Sequence, residues 1–266
     1  MNNKYTFWKL ISEKTIEIPI IQRDYAQGRT TTKETKIRNE FLDTLYKKIE
    51  DDHDSINLDF VYGKTEDNKL IPLDGQQRLT TLFLLHWYLA IKENSLEEYT
   101  ETLNNFTYET RISSREFCNA LVSNPIDIKL ALENNKISEI VEDKNWFFQS
   151  WKKDPTIQSM LSMIDAIHEK FKDSEGLFEK LICDQNLPIT FDFLPLNEFK
   201  LTDELYVKMN ARGKPLTDFE DFKAKFVELL SNEDASKLDN SWTDLFWKHR
   251  IPNKDGYFYI DDKFLN

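Results

Sequence analysis

The spacing of apolar residues changes along the chain, and each change marks an element. Over Thr15–Ile20 apolar and polar residues alternate, with Ile16, Ile18 and Ile20 on one face. That period of two predicts a short strand, and Pro19 places it at a sheet edge. After a polar loop, Ile37, Phe41, Leu45 and Ile49 recur every fourth residue, flanked by Leu42 and Tyr46. This is the signature of an amphipathic helix. Two runs, Leu58–Tyr62 and Leu70–Leu73, flank the polar stretch Lys64–Asn68 and predict a hairpin. Its second strand leads directly into Asp74-Gly75-Gln76-Gln77-Arg78. From Leu79 to Ala90 apolar residues then lie on nearly every side, as in a helix at the centre of a domain.

From about Glu93 to Leu187 the pattern is mainly helical and charged. Ile157, Met160, Leu161, Ile164, Ile167 and His168 form one helical stripe, while Asn124-Pro125, Asp154-Pro155 and Gly176 are breaks. Alternation returns at Ile189–Leu194, consistent with a strand. Thr202 suits the N-cap of a helix carrying Leu205, Tyr206 and Met209, which ends at Gly213. Thr217 and Glu220 have capping-box spacing before the stripe Phe219, Phe222, Phe226, Leu229 and Leu230. The tail from Trp242 to Asn266 is aromatic-rich and ends without a stop signal, as expected of a piece of a longer chain.

Composition narrows the function. With 40% hydrophobic and 13% aromatic residues among 266, a sizeable core is available. Only 6 glycines argue against a glycine-rich dinucleotide fold. The net charge of -12 speaks against a stand-alone clamp on DNA, though not against a local basic pocket. Cys118 and Cys183 lack CxxC spacing and are expected as two reduced, buried thiols. The four histidines show no metal-binding spacing, and no nuclease site is legible. The N-terminus lacks an apolar signal segment, and the run Leu82–Ala90, broken by His86, is too short to span a bilayer, so a cytoplasmic protein without membrane contact is expected.

Three polar loops interrupt this apolar frame. Asp74–Arg78 joins a strand to a buried helix, where free backbone N–H groups and the helix dipole favour an anion. Gly75 permits a tight turn, Arg78 offers a planar fork to phosphate oxygens, and Asp74 could hold Mg²⁺ or a ribose hydroxyl. Gln76 and Gln77 both donate and accept, which suits ribose, a base edge or an attacking water. The alternative is purely structural: Asp74 caps the helix and Arg78 makes a salt bridge. Gln22-Arg23-Asp24-Tyr25 offers a cation and a stackable tyrosine, as in the wall of a ligand site, or is an ordinary turn. In Asn210–Thr217, Arg212 and Lys214 stand at a helix N-terminus, unfavourable there unless an anion is present; otherwise the segment is an exposed linker.

Taken in order, Ile18–Tyr25, Leu73–Leu82 and Met209–Leu216 resemble the signatures of the N-terminal domain family of GmrSD-type modification-dependent restriction endonucleases. The resemblance covers roughly residues 5 to 230, and Tyr108–Phe117 looks like the signature of one bacterial subfamily. It implies an α+β fold. By that resemblance a small ParB/sulfiredoxin-like mixed sheet with helices would occupy residues 1–92, and a mainly helical part, 93–266, would complete the pocket. It also implies NTP binding and hydrolysis, with Mg²⁺ as a candidate cofactor. Asp74, Gln77 and Arg78 would be catalytic. Gln22, Arg23, Gly75, Gln76, Thr80, Asn210, Arg212, Gly213 and Lys214 would bind the nucleotide. Implied partners are modified DNA and a C-terminal or separate nuclease domain. Two other readings compete: a DNA- or nucleotide-binding module without turnover, and a helical interaction scaffold whose loops are only caps and turns.

Overall fold

Six strands pair into one mixed sheet, in the order β1-β6-β3-β4-β2-β5, in the computed structural model, which describes residues 4–19, 25–109, 112–126 and 136–196. These lie within one compact unit, Met1–Lys200. The strands are β1 (Lys4–Tyr5), β2 (Thr15–Ile18), β3 (Ile56–Glu66), β4 (Lys69–Asp74), β5 (Phe106–Tyr108) and β6 (Ile189–Pro195). The described helices are α1 (Phe7–Glu13), α2 (Thr32–Glu50), α3 (Gln76–Lys92), α4 (Leu96–Leu103), α5 (Ile112–Ser123), α6 (Ile137–Glu142), α7 (Pro155–Phe171) and α8 (Leu177–Ile182). The chain is thus α+β, as expected. The segments expected around Thr202 and Thr217 fall outside the described residues.

β3 and β4 form the expected hairpin, with Asp67 and Asn68 both at positive φ, 44° and 68°. That pair of left-handed residues matches the right-handed twist of the strands it joins. The turn is shorter than the sequence implied because Lys64–Glu66 continue β3. The expectation for β2 requires correction. It pairs in parallel with β4 on one side and β5 on the other, so it is interior. Pro19 lies just beyond Ile18, the last paired residue, so its missing N–H costs the ladder nothing. β5 takes the edge, and three residues are too few to display a period.

β3 is irregular twice. Its register against β6 shifts between Asn57 and Phe60, where Asp59 has a positive φ of 58°. Its register against β4 shifts at Tyr62/Gly63. There a Cβ on Gly63 would lie 2.3 Å from the Ile71 carbonyl oxygen, so the two backbones approach as only glycine permits.

Every residue from Leu79 to Ile91 of α3 is buried, which explains the apolar run with no polar face. Each large side chain so buried contributes roughly 1.5–3 kcal/mol. Two polar groups on this helix find partners: Trp87 Nε1 donates to the Leu121 carbonyl at 2.8 Å, and the Tyr88 hydroxyl meets His168 Nδ1 at 3.0 Å. Against α3 packs α7. Asp154 caps its N-terminus by accepting from the N–H groups of Thr156 (2.8 Å) and Ile157 (3.3 Å), ahead of Pro155 in the first turn. α2 buries Leu42, Leu45 and Ile49, but Ile37, expected on the same stripe, stays exposed. Cys118 is buried as expected, whereas Cys183 is exposed, one residue past the end of α8. Among the described residues no helix is long and apolar enough to cross a membrane.

Candidate functional site

The Asp74–Arg78 turn is built by β4 running into α3 with one residue, Gly75, between them. Gly75 is the N-cap, in the left-handed conformation at φ 85°, and among the described residues no side chain caps the helix. A Cβ there would also come 2.8 Å from Val61 Cγ2, so both backbone and neighbour call for glycine. The first helical bond runs from the Leu79 N–H to the Gly75 carbonyl at 2.8 Å. The capping role open to Asp74 is therefore not realised. Its carboxylate instead stands 3.6 Å from an Arg78 guanidinium nitrogen, in the ion pair the structural alternative foresaw. The N-terminal end of α3 keeps its dipole without a capping acceptor, beside a cation.

Arg78 is held in place. Its Nη2 donates to the Phe60 carbonyl oxygen at 2.7 Å, and its side chain is only 22% exposed. That carbonyl sits next to the irregularity at Asp59, which re-aims the backbone there. The Phe60 side chain is 51% exposed beside it. Gln76 Nε2 donates to the Pro72 carbonyl at 2.7 Å, tying the helix start to β4. Thr80 is fully buried, its hydroxyl donating to the Gln76 carbonyl at 3.0 Å and lying 3.1 Å from the Tyr108 hydroxyl. The turn is thus braced from β3, β4 and β5.

The first polar loop reaches the same place. Gln22, Arg23 and Asp24 lie outside the described residues, but Tyr25–Gly28 dock directly on α3. Gln77 Oε1 accepts from the backbone N–H groups of Ala26 (2.8 Å) and Gln27 (3.3 Å). Thr81 donates its hydroxyl hydrogen to Gln27 Oε1 at 2.5 Å and lies 2.5 Å from the Tyr25 hydroxyl. Tyr25 is 1% exposed, so the expectation of a stackable tyrosine at a ligand wall is corrected: burial pushes its phenol well above the ordinary range, and it packs in the core. Sequence reasoning missed Thr81 and Tyr25 as a pair because hydroxyl contacts across such a separation leave no local pattern.

On its far side the same segment meets α7 and α2. A Cβ on Gly28 would lie 1.9 Å from the Ser159 carbonyl oxygen. Arg38 Nη1 reaches the Gly28 carbonyl at 3.4 Å, and partial burial lowers the pKa of that guanidinium. Arg38 also lines an open groove of about 780 Å³ between α2 and α7, with Asn39, Asp43, Lys136, Asp165 and Lys170. Both cationic and anionic side chains line it, and Lys170 pairs with Asp43.

Asn210, Arg212, Gly213 and Lys214, like Gln22 and Arg23, fall outside the described residues, so of the three motifs the described site holds the Asp74–Arg78 turn and the Tyr25–Gly28 segment docked on it. Among the described residues no group of three or more His, Cys, Asp or Glu side chains is placed to hold a metal. Asp74, half-exposed beside the uncapped turn, suits Mg²⁺ of the kind held by one carboxylate and the substrate's own phosphates.

Comparison with known proteins gives one assignment. The family model described as "GmrSD restriction endonuclease, N-terminal domain" matches residues 7–227. No curated protein and no solved structure matches the chain.

Proposed function

The chain belongs to the family of GmrSD restriction endonuclease N-terminal domains, part of a phage-defence restriction system, and on that premise we propose that its Asp74–Arg78 turn binds a nucleoside triphosphate and hydrolyses it. One observation carries this reading most directly: a long buried helix begins uncapped at a left-handed glycine, with Arg78 fixed beside it. Backbone N–H groups at such a start meet phosphate oxygens without a side chain having to move aside.

In this reading Arg78 neutralises charge that develops on the departing phosphoryl group, which is electrostatic stabilisation by a pre-placed donor. Gly75 and Gln76 supply the backbone around the phosphates, with Gln77 beside them. Asp74 would hold Mg²⁺, which when bound supplies further positive charge to the phosphates. Thr80, being buried, supports the turn from beneath. Gln22, Arg23, Asn210, Arg212, Gly213 and Lys214 are the further candidates for nucleotide contact. Hydrolysis would then regulate how the system engages modified DNA and its nuclease domain, in the cytoplasm where invading DNA is met.

The test is phosphate release from Mg-ATP and Mg-GTP by the purified chain, wild type against Arg78→Ala. Loss of one transition-state donor is expected to lower turnover about 100-fold or more. Equal turnover by the two proteins removes the assignment. Thermal stabilisation by nucleotide with no phosphate release would instead favour the binding module without turnover.

A further inference from the structure

Both glutamines of the Asp74–Arg78 turn have structural partners, and they reach in different directions. Gln76 holds the turn to β4 through the Pro72 carbonyl. Gln77 reaches across to another segment, and its carboxamide oxygen is taken by two consecutive backbone N–H groups, those of Ala26 and Gln27. We propose that Gln77 is a positioning residue, a latch that holds Tyr25–Gly28 against the nucleotide turn through the acceptor end of its carboxamide. This rests on the reading of the turn as a nucleotide site.

The geometry around the segment gives the latch its consequence. Tyr25–Gly28 is gripped on three sides. Gln77 and Thr81 hold it from α3. Tyr25 anchors one end in the core, its hydroxyl on Thr81. Gly28 lies so close to the Ser159 carbonyl of α7 that no side chain fits between. The backbone N–H groups of Ala26 and Gln27 face Gln77 from a partly buried segment, where leaving a donor unpaired is costly. The turn's second glutamine thus ties Tyr25–Gly28 to the start of α3, a task that local propensity at either segment cannot perform.

The latch itself uses the acceptor end of the carboxamide. Glu at position 77 keeps two acceptor oxygens at the same reach. Met keeps the length and the packing but accepts nothing of comparable strength. The test is hydrogen–deuterium exchange of the Ala26 and Gln27 amides in wild type, Gln77→Met and Gln77→Glu, with no nucleotide present. Both amides are expected to be protected in the wild type. In Gln77→Met they should exchange about tenfold faster, the equivalent of losing a net hydrogen bond, while Gln77→Glu stays within about twofold of wild type. The proposal is overturned if the wild-type Ala26 amide exchanges at the unprotected rate, if Gln77→Met leaves it unchanged, or if Gln77→Glu exchanges like Gln77→Met. The wild-type measurement decides even if a variant does not fold. Phosphate release from Mg-ATP and Mg-GTP is followed separately, in the wild type alone. Absence of turnover in the wild type would count against the nucleotide-hydrolysis reading alone, since exchange is read without nucleotide.

Discussion

Gly28→Ala is the sharpest perturbation of the docked segment. The added Cβ would sit 1.9 Å from the Ser159 carbonyl oxygen, 2.4 Å from its carbon and 2.8 Å from its Cα. All three are backbone atoms of a helix whose neighbouring residues are buried, so no rotamer change relieves the clash. Reaching the 3.4 Å of an ordinary contact requires a retreat of about 1.5 Å, the difference between 3.4 and 1.9. Overpacking of this kind costs about 1–3 kcal/mol. A retreat also takes the Ala26 and Gln27 amides away from Gln77, at about 1 kcal/mol net for each bond. The expected loss is about 3 kcal/mol or more, or roughly 6–12 °C in Tm for a chain of this size. Gly176→Ala is the control: nothing lies within 4 Å of its Cβ, and only the left-handed φ of 69° penalises it, by about 1 kcal/mol. Urea denaturation followed by circular dichroism measures both. If Gly28→Ala costs no more than Gly176→Ala, the tight docking of Tyr25–Gly28 on α7 is refuted.

Two further outcomes follow from buried polar groups. His86 is fully buried with Nδ1 at 2.7 Å from the Leu82 carbonyl, and burial lowers its pKa from 6.5 to about 4. Because the unfolded chain binds this proton more readily, the contribution is intact above about pH 6.5 and is lost as pH falls from there towards 4. The loss amounts to about 3 kcal/mol, and His86→Leu should flatten that part of the stability–pH curve; a slope identical to wild type would contradict it. Thr81→Val removes the hydroxyl shared by Tyr25 and Gln27, leaving a buried phenol unpaired at a cost of about 1–3 kcal/mol. Adding Tyr25→Phe should then cost little more, and simple additivity in that double-mutant cycle would show the contact to be energetically silent.

What the sequence revealed depended on whether a feature was local. α3 was legible because a run of apolar residues with no polar side has no other home than a core. The hairpin was legible from its flanking runs, although the turn shrank to Asp67 and Asn68. Strand order was not, because neighbours in a sheet are chosen by pairings across the chain. β2 reads as an edge from Pro19, yet β5 covers it, and β5 is three residues long. At the site, Asp74, Gly75 and Arg78 stood out by type and position, and the structure places them around one uncapped helix start. Tyr25 was misread as surface because a tyrosine beside charged residues looks the same whether its ring faces solvent or core. The partner that decides the matter, Thr81, lies on another element.

The strand order also dictates a sequence of events during synthesis. β6, at Ile189–Pro195, lies between β1 and β3, and β1 pairs with no other strand among the described residues. Until β6 leaves the ribosome, β3 presents a bare edge that includes the stretch around Phe60, the residue whose carbonyl holds Arg78. At about 5–20 residues per second, the wait between the end of β3 and the arrival of β6 is on the order of ten seconds. During that interval the nascent chain carries an open hydrogen-bonding edge able to pair with a neighbour's. The bulge at Asp59 twists that edge and interrupts its ladder, so a feature that aims one carbonyl at an arginine in the finished molecule also makes the unfinished one a poorer template for aggregation.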